Sequence, residues 1–370
     1  MGKCVDYLKK YLPLQHTYTV NMKENPMRRT LRCFMIILIM APGWISAQAY
    51  ITPGGDIKVV VIKDPYSDSR TGPELLKGPD LLASGGLVEK LPEWGCKIEA
   101  ILDVKMPPEL EREYGEWNRA SLTNRTMGKM MYAYDKDEVF FIGLLSGSKS
   151  VIGMLAGLQH LGPGRAPLKD SQGRDIIGLP RLGEAKPLKV GLIWISARAA
   201  FNTPDISVEG NMGGMNVAVA AGLSNATLRM QAGLDPPIST KFIVMAGVRD
   251  TNPYEQFNID NSFIETISIV DLKHNSENIK KQMKRLSGLT DILFVHVDLS
   301  VLDPSEIPGH PHAVPHGPTS DELAACLETI FFFPKAATLG IASLHDEADE
   351  VSIKAAYRLI EGAVKGIKNR

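Results

Sequence analysis

Short apolar runs alternate with helix-period segments from about residue 57 to the C-terminus. The strand candidates are residues 57–63, 98–103, 139–145, 189–196, 241–248, 264–270, 292–300 and 338–344. In runs such as Val59-Val60-Val61-Ile62 and Val190-Gly191-Leu192-Ile193-Trp194-Ile195, successive positions are apolar. Strands covered on both faces in a parallel sheet read this way, whereas half-exposed strands alternate. Helix candidates lie between them, at 73–91 (broken near Pro79), 108–120, 149–161, 213–223, 276–286, 320–332 and 352–368. Ser276 precedes a Glu-containing first turn and Thr319-Ser320 precedes Asp321-Glu322, as helix starts require. Strand–helix alternation predicts an α/β fold: a single three-layer α/β/α domain, over residues 50–370, with a mainly parallel eight-stranded sheet. The Gly/Pro-rich segment 162–187 is expected to be a long irregular loop.

The first fifty residues break this pattern. Residues 1–49 form a leader in which Arg28, Arg29 and Arg32 precede an apolar run over 33–45, and Ala47-Gln48-Ala49 follows. A basic start, a short apolar core and a small-x-small end make 27–49 a signal peptide, with export to the periplasm or the exterior implied. The apolar run is too short to span a bilayer comfortably, so no membrane association is expected once the leader is removed. Composition adds exclusions. With 41 Lys+Arg against 42 Asp+Glu, the chain lacks the basic excess of a nucleic-acid binder. With 44% hydrophobic and 22% charged residues it has globular usage. Four cysteines are too few for a disulfide scaffold. Cys96 and Cys326 remain after the leader, and their pairing is left open.

Ligands of open parallel sheets sit beyond the carboxyl ends of the strands. There the chain carries Leu145-Ser146-Gly147-Ser148-Lys149-Ser150, then Trp194-Ile195-Ser196-Ala197-Arg198-Ala199-Ala200-Phe201-Asn202-Thr203-Pro204. His296-Val297-Asp298-Leu299-Ser300-Val301-Leu302-Asp303-Pro304 is the third pattern, and Gly247-Val248-Arg249-Asp250 with Glu255 the fourth. This series, with Gly72-Pro73-Glu74-Leu75-Leu76 before it, resembles the arginase–agmatinase (ureohydrolase) family from about residue 57 to 367. That family hydrolyses guanidino groups at a dinuclear manganese centre, and its members commonly form trimers or hexamers. Its motifs read Gly-Gly-Asp-His-Ser, Asp-Ala-His-x-Asp-x-Asn and Asp-x-Asp-x-x-Asp-Pro.

Carried over position by position, the resemblance places Lys149 where the first-motif His stands. Ser196, Arg198 and Ala200 replace the Asp, His and Asp of the second motif, and Ser300 replaces the second Asp of the third. Only Asp298 survives among the ligand positions; the catalytic His falls near Gly213 and the late guanidinium-binding Glu near Ser343. Protonated Lys and Arg have no lone pair for manganese, so no metal cofactor and no catalytic residue are expected. The resemblance thus implies a non-catalytic pocket built from Lys149, Ser196, Arg198, Asn202, His296, Asp298 and Ser300. Cationic side chains standing where cations stood suggest that Lys149 and Arg198 converge on Asp298 as an internal ion pair. A bound anion beside Lys149 is the competing reading, since it opens a helix.

Other residues admit two readings. His310, His312 and His316 could rebuild a metal site with His296 and Asp298, making the chain a ureohydrolase-type hydrolase of a guanidino or amidino C–N bond. The plainer reading is a Pro/Gly-rich loop that carries histidines. Asn202 and Thr203 sit where the family contacts the α-carboxylate of amino-acid substrates, so a small anionic or amino-acid-like ligand is expected if a ligand is kept; turn capping is the alternative. Asp303-Pro304 is read as a turn.

Overall fold

The computed structural model describes residues 55–66, 76–106, 108, 115–134, 138–160, 168–169, 175–176 and 187–370. The leader and its expected signal peptide lie outside the described residues. Eight parallel strands form one sheet: β1 (Ile57–Asp64), β2 (Cys96–Asp103), β3 (Phe140–Leu145), β4 (Val190–Ile195), β5 (Ile243–Ala246), β6 (Glu265–Ile267), β7 (Ile292–Asp298) and β8 (Ala336–Ala342). Their order across the sheet is β2-β1-β3-β8-β7-β4-β5-β6, and every pairing is parallel. All eight expected strands are present. β3, β4, β7 and β8 are buried at every position, as their consecutive apolar residues require. β2, at one edge, alternates instead, with Lys97, Glu99, Ile101 and Asp103 exposed.

The helices are α1 (Gly78–Leu82), α2 (Val88–Glu93), α3 (Glu116–Met131), α4 (Val151–Gln159), α5 (Asn216–Ala220), α6 (Ala226–Gln231), α7 (Pro253–Asp260), α8 (Ile269–His274), α9 (Glu277–Leu289), α10 (Ser320–Phe331) and α11 (Glu350–Lys368). Ser276 accepts from the Asn278 N–H to start α9, and Thr319 forms a reciprocal capping box with Glu322 at α10. Among the described residues no helix is long and apolar enough to cross a membrane.

Several boundaries differ from the pattern-based reading. Pro79 does not break a helix: it sits in the first turn of α1, where its missing N–H has no partner to lose. A π turn at Ala83–Leu87, with Gly86 at φ 119°, joins α1 to α2. Most of the helix expected at 108–120 lies outside the described residues; the described helix there is Glu116–Met131. The strand expected over 264–270 stops at Ile267, because Ser268 caps α8 in a box with Asp271. α7 was hidden by polar residues, yet Asn252 accepts from the Tyr254 and Glu255 N–H groups and Pro253 occupies the first turn. Most of the loop expected at 162–187 lies outside the described residues; within it Leu168–Lys169 pairs antiparallel with Asp175–Ile176.

Cys96 and Cys326 are free buried thiols, and burial pushes both up to about 12. The Cys326 thiol donates to the Leu272 carbonyl.

Candidate functional site

β3, β8, β7 and β4 are neighbours, so their carboxyl ends form one row. Register pairs Ala342 with Leu145 and with Asp298, and Ile195 with Val297. The next residues along β8 and β4, Ser343 and Ser196, therefore flank Asp298, the last residue of β7, and Ser146 lies one strand further out. The three sequence motifs do meet here.

What Asp298 meets is hydroxyl rather than cation. Its Oδ2 accepts from Ser148 Oγ at 2.7 Å and from Ser343 Oγ at 2.7 Å, and its Oδ1 accepts from the Ser300 N–H at 3.0 Å. The residue is 7% exposed. Burial alone would raise its pKa; hydrogen bonds from Ser300, Ser343 and Ser148 and the nearby His296 outweigh it and hold the carboxyl below its ordinary value.

The ion pair expected from charge replacement does not form. Lys149 is buried, but its Nζ donates to the main-chain carbonyl of Tyr66, just beyond the end of β1, together with the Ser146 hydroxyl. Ser150 likewise turns to Asp64. Arg198 leaves the pocket and pairs with Asp250 at 3.1 Å, both side chains nearly half exposed. Ser196 is buried and its Oγ accepts from the Arg198 N–H at 3.1 Å. The short turn Ser148–Ser150 is the reason: successive side chains diverge, so Ser148 faces β7 while Lys149 faces β1.

His296 is fully buried and stacked on Trp194, with ring centroids 4.4 Å apart and planes 9° apart. Trp194 Nε1 donates to the Arg198 carbonyl at 2.8 Å, which fixes the stack to the second motif. His296 Nε2 lies 3.4 Å from Ser148 Oγ, and its Nδ1 has no hydrogen-bond partner. Burial pushes its pKa down to about 4, against the pull of Asp298.

Because the native ring stays neutral while an unfolded one protonates near 6.5, stability should fall as pH drops from about 6.5 and level off below about 4. Urea melts across that window should show a slope in the wild type that is reduced in His296→Phe, which keeps the ring against Trp194. An unchanged slope would remove His296 as its source.

Asn202, in the turn after β4, accepts at Oδ1 from Asn252 Nδ2 at 2.8 Å. Glu255, 4% exposed, accepts from the Phe201 N–H at 2.8 Å and braces Ala200, whose φ is 51°. Burial raises the Glu255 pKa, opposed by hydrogen bonds from Phe201, Asn202 and Asn252.

The histidine loop is fastened from two sides. Arg249 donates to the carbonyls of Pro315 (3.0 Å), Gly247 (3.1 Å), Val301 (3.2 Å) and Val314 (2.6 Å). Arg249→Lys, with one point donor for a planar fork, should cost about 1–2 kcal/mol and loosen the loop. A thermal melt within 1 °C of wild type would show the clamp to be idle. His310 is the second fastening: its Nε2–H donates to the Ser343 carbonyl at 2.8 Å, and its Nδ1 accepts from the His312 N–H at 3.1 Å. His312 and His316 are exposed.

These donors do not fit a dinuclear manganese centre. Both oxygens of Asp298 and both nitrogens of His310 are already hydrogen-bonded, and among the described residues no three of His, Cys, Asp and Glu come together as a ligand group. The rebuilt site of His296, Asp298, His310, His312 and His316 does not assemble. Ser148 and Ser343 were missed in the sequence. The available signal was hydroxyl-bearing residues at the strand ends on either side of the one retained Asp.

The parallel sheet with its row of strand-end residues defines an α/β protein whose candidate site lies beyond the carboxyl ends of the strands. The solved arginase of Bacillus subtilis superposes with a TM-score of 0.65 at 21% identity, over 84% of this chain and 98% of that one. The arginase of Entamoeba histolytica, solved in complex with L-ornithine, gives 0.65 at 22% over 83% and 97%. By sequence, the arginase of Bacillus caldovelox is 25% identical over 283 residues, 74% of this chain and 85% of the relative. The model of the arginase family matches residues 177–362, and the chain belongs to that family.

Proposed function

We propose that this chain is a non-catalytic member of the arginase family, with a binding or structural role and no metal cofactor. The observation that carries the reading is the Asp298 carboxylate, closed by Ser148, Ser343 and Ser300 instead of by metal ions. Hydrolysis in this family requires a metal-generated nucleophile. Here the residue types that would hold the metals are gone, and the remaining carboxylate is hydrogen-bonded on both oxygens. The test is metal content after incubation with manganese, together with urea release from arginine and agmatine. Sub-stoichiometric metal and no urea are expected; two Mn²⁺ per chain or measurable urea would overturn the reading.

The hydrolase reading rests on the relatives, which are arginases. The same assay decides between the two.

If a ligand is retained, an amino-acid-like one is better supported than a simple anion. Lys149 and Arg198 are directed to Tyr66 and Asp250, and the Ser148 and Ser343 protons to Asp298, so the pocket offers an anion few donors. L-Ornithine is bound in the Entamoeba relative. Self-association as a trimer or hexamer accompanies this reading, and nucleic acid does not. For export, protein from its native host should begin at Tyr50 on N-terminal sequencing; intact leader in the cytosol would reject the signal peptide.

A further inference from the structure

The hydrogen bonds of His310 specify its tautomer. A carbonyl can only accept, so Nε2 carries the proton toward Ser343; a main-chain N–H can only donate, so Nδ1 is bare toward His312. The ring is 8% exposed, so water does not offer a ready substitute for either bond. Around it the backbone turns tightly: the His310 N–H donates to Ile307 at 3.1 Å, the Ala313 N–H to His310 at 3.2 Å, and Gly309 has φ 74°. Ser343, which receives the ring's proton, is itself held at φ 69° with its hydroxyl on Asp298. His310 therefore ties the loop to the residue whose hydroxyl holds Asp298.

We propose that the 309–316 loop carries an acid-responsive turn beside the strand end at Ser343, released when His310 takes a second proton. A proton on Nδ1 faces the His312 N–H, two donors 3.1 Å apart, and the bond that closes the turn becomes a repulsion. The titratable groups facing His310 are Asp298 from the end of β7, His345 from the segment after β8, and His312 from its own loop. Asp298 attracts the imidazolium and keeps the ring inward, still donating to Ser343. His345, with ring centroids 5.9 Å away, opposes a second charge. The ring stays and the backbone at His312 is what must leave. Burial lowers the His310 pKa, opposed by Asp298 and the Ser343 hydrogen bond, so the response falls on the acid side of the ordinary 6.5. This inference does not depend on whether the pocket is catalytic.

The experiment is hydrogen exchange of the full chain near pH 7.5 and pH 5, corrected for intrinsic exchange rates. Loop amides over 309–316 should exchange about tenfold faster at the lower pH, as expected for opening linked to one proton, while α10 amides stay protected. His310→Gln can still donate to Ser343 but cannot take a proton, so its loop should show no such response; His345→Gln, which removes an opposing charge, should respond at least as strongly as the wild type. An equal acid response in His310→Gln, or none in the wild type, would overturn the proposal. Should His310→Gln fail to fold, ring-nitrogen NMR of the wild type decides. His310 titrating together with the His312 amide supports the device; His310 titrating while that amide stays unchanged rejects it.

Discussion

Asp298→Ala should destabilise the protein by about 2–4 kcal/mol, and the loss should be the same with manganese or with chelator present. The variant leaves the Ser148 and Ser343 hydroxyls and the Ser300 N–H facing a cavity without an acceptor. Buried donors that lose their partner forfeit the desolvation already incurred, so the cost exceeds that of removing any one donor. Ser148→Ala and Ser343→Ala should each cost only ~0.5–1.5 kcal/mol. Lys149→Met should also cost less than Asp298→Ala. It removes a buried charge, and the Tyr66 carbonyl keeps the Ser146 hydroxyl. Thermal melts in both ionic conditions check the whole set. A wild-type midpoint that rises with manganese, and a rise that Asp298→Ala abolishes, would mean that the carboxylate is a metal ligand after all.

Gly317→Ala should be at least as damaging, by about 3 kcal/mol, although it adds a single methyl group. The new Cβ would lie 2.4 Å from the Val301 carbonyl oxygen, 2.4 Å from the Leu302 carbonyl carbon and 2.5 Å from the Asp303 nitrogen. All three are main-chain atoms, so no side chain can swing aside. The backbone just past β7 must move, and with it the Pro318 carbonyl that accepts from the Asp303 N–H. Gly288→Ala is the control. Nothing lies within 4 Å of its added Cβ, and it sits inside α9, so it should be neutral or stabilising by up to ~1 kcal/mol. Denaturant melts of the two variants compare them directly; Gly317→Ala within ~0.5 kcal/mol of wild type would show that the contact yields easily.

Much of the architecture was legible in the chain because it depends on local pattern. Consecutive apolar residues mark a strand buried on both faces, wherever in the sheet it falls, and β3, β4, β7 and β8 follow from that. The caps at Ser276 and Thr319 are equally local. The residue types at the motif positions were legible too, since whether a side chain has a lone pair to give is a property of residue type. Ser268 and Asn252 were local signals as well, outweighed by an apolar run at 264–270 and by a polar one at 253–260.

Direction was not legible. Charge counting matched two cations to Asp298, but charge carries no information on where a side chain points. That was decided by the turn after β3, which sends Lys149 to the Tyr66 carbonyl at the end of β1 and Ser148, one residue earlier, to Asp298 on β7. The same holds for His310, whose proton position is set by a carbonyl 33 residues away. Composition and spacing determined which elements this chain can form and which residue types stand at its strand ends. The parallel register, which brings four strand ends into one row, decided that the Asp298 carboxylate is held by serine hydroxyls, because hydrogen bonds form between groups that face each other and not between charges that merely balance.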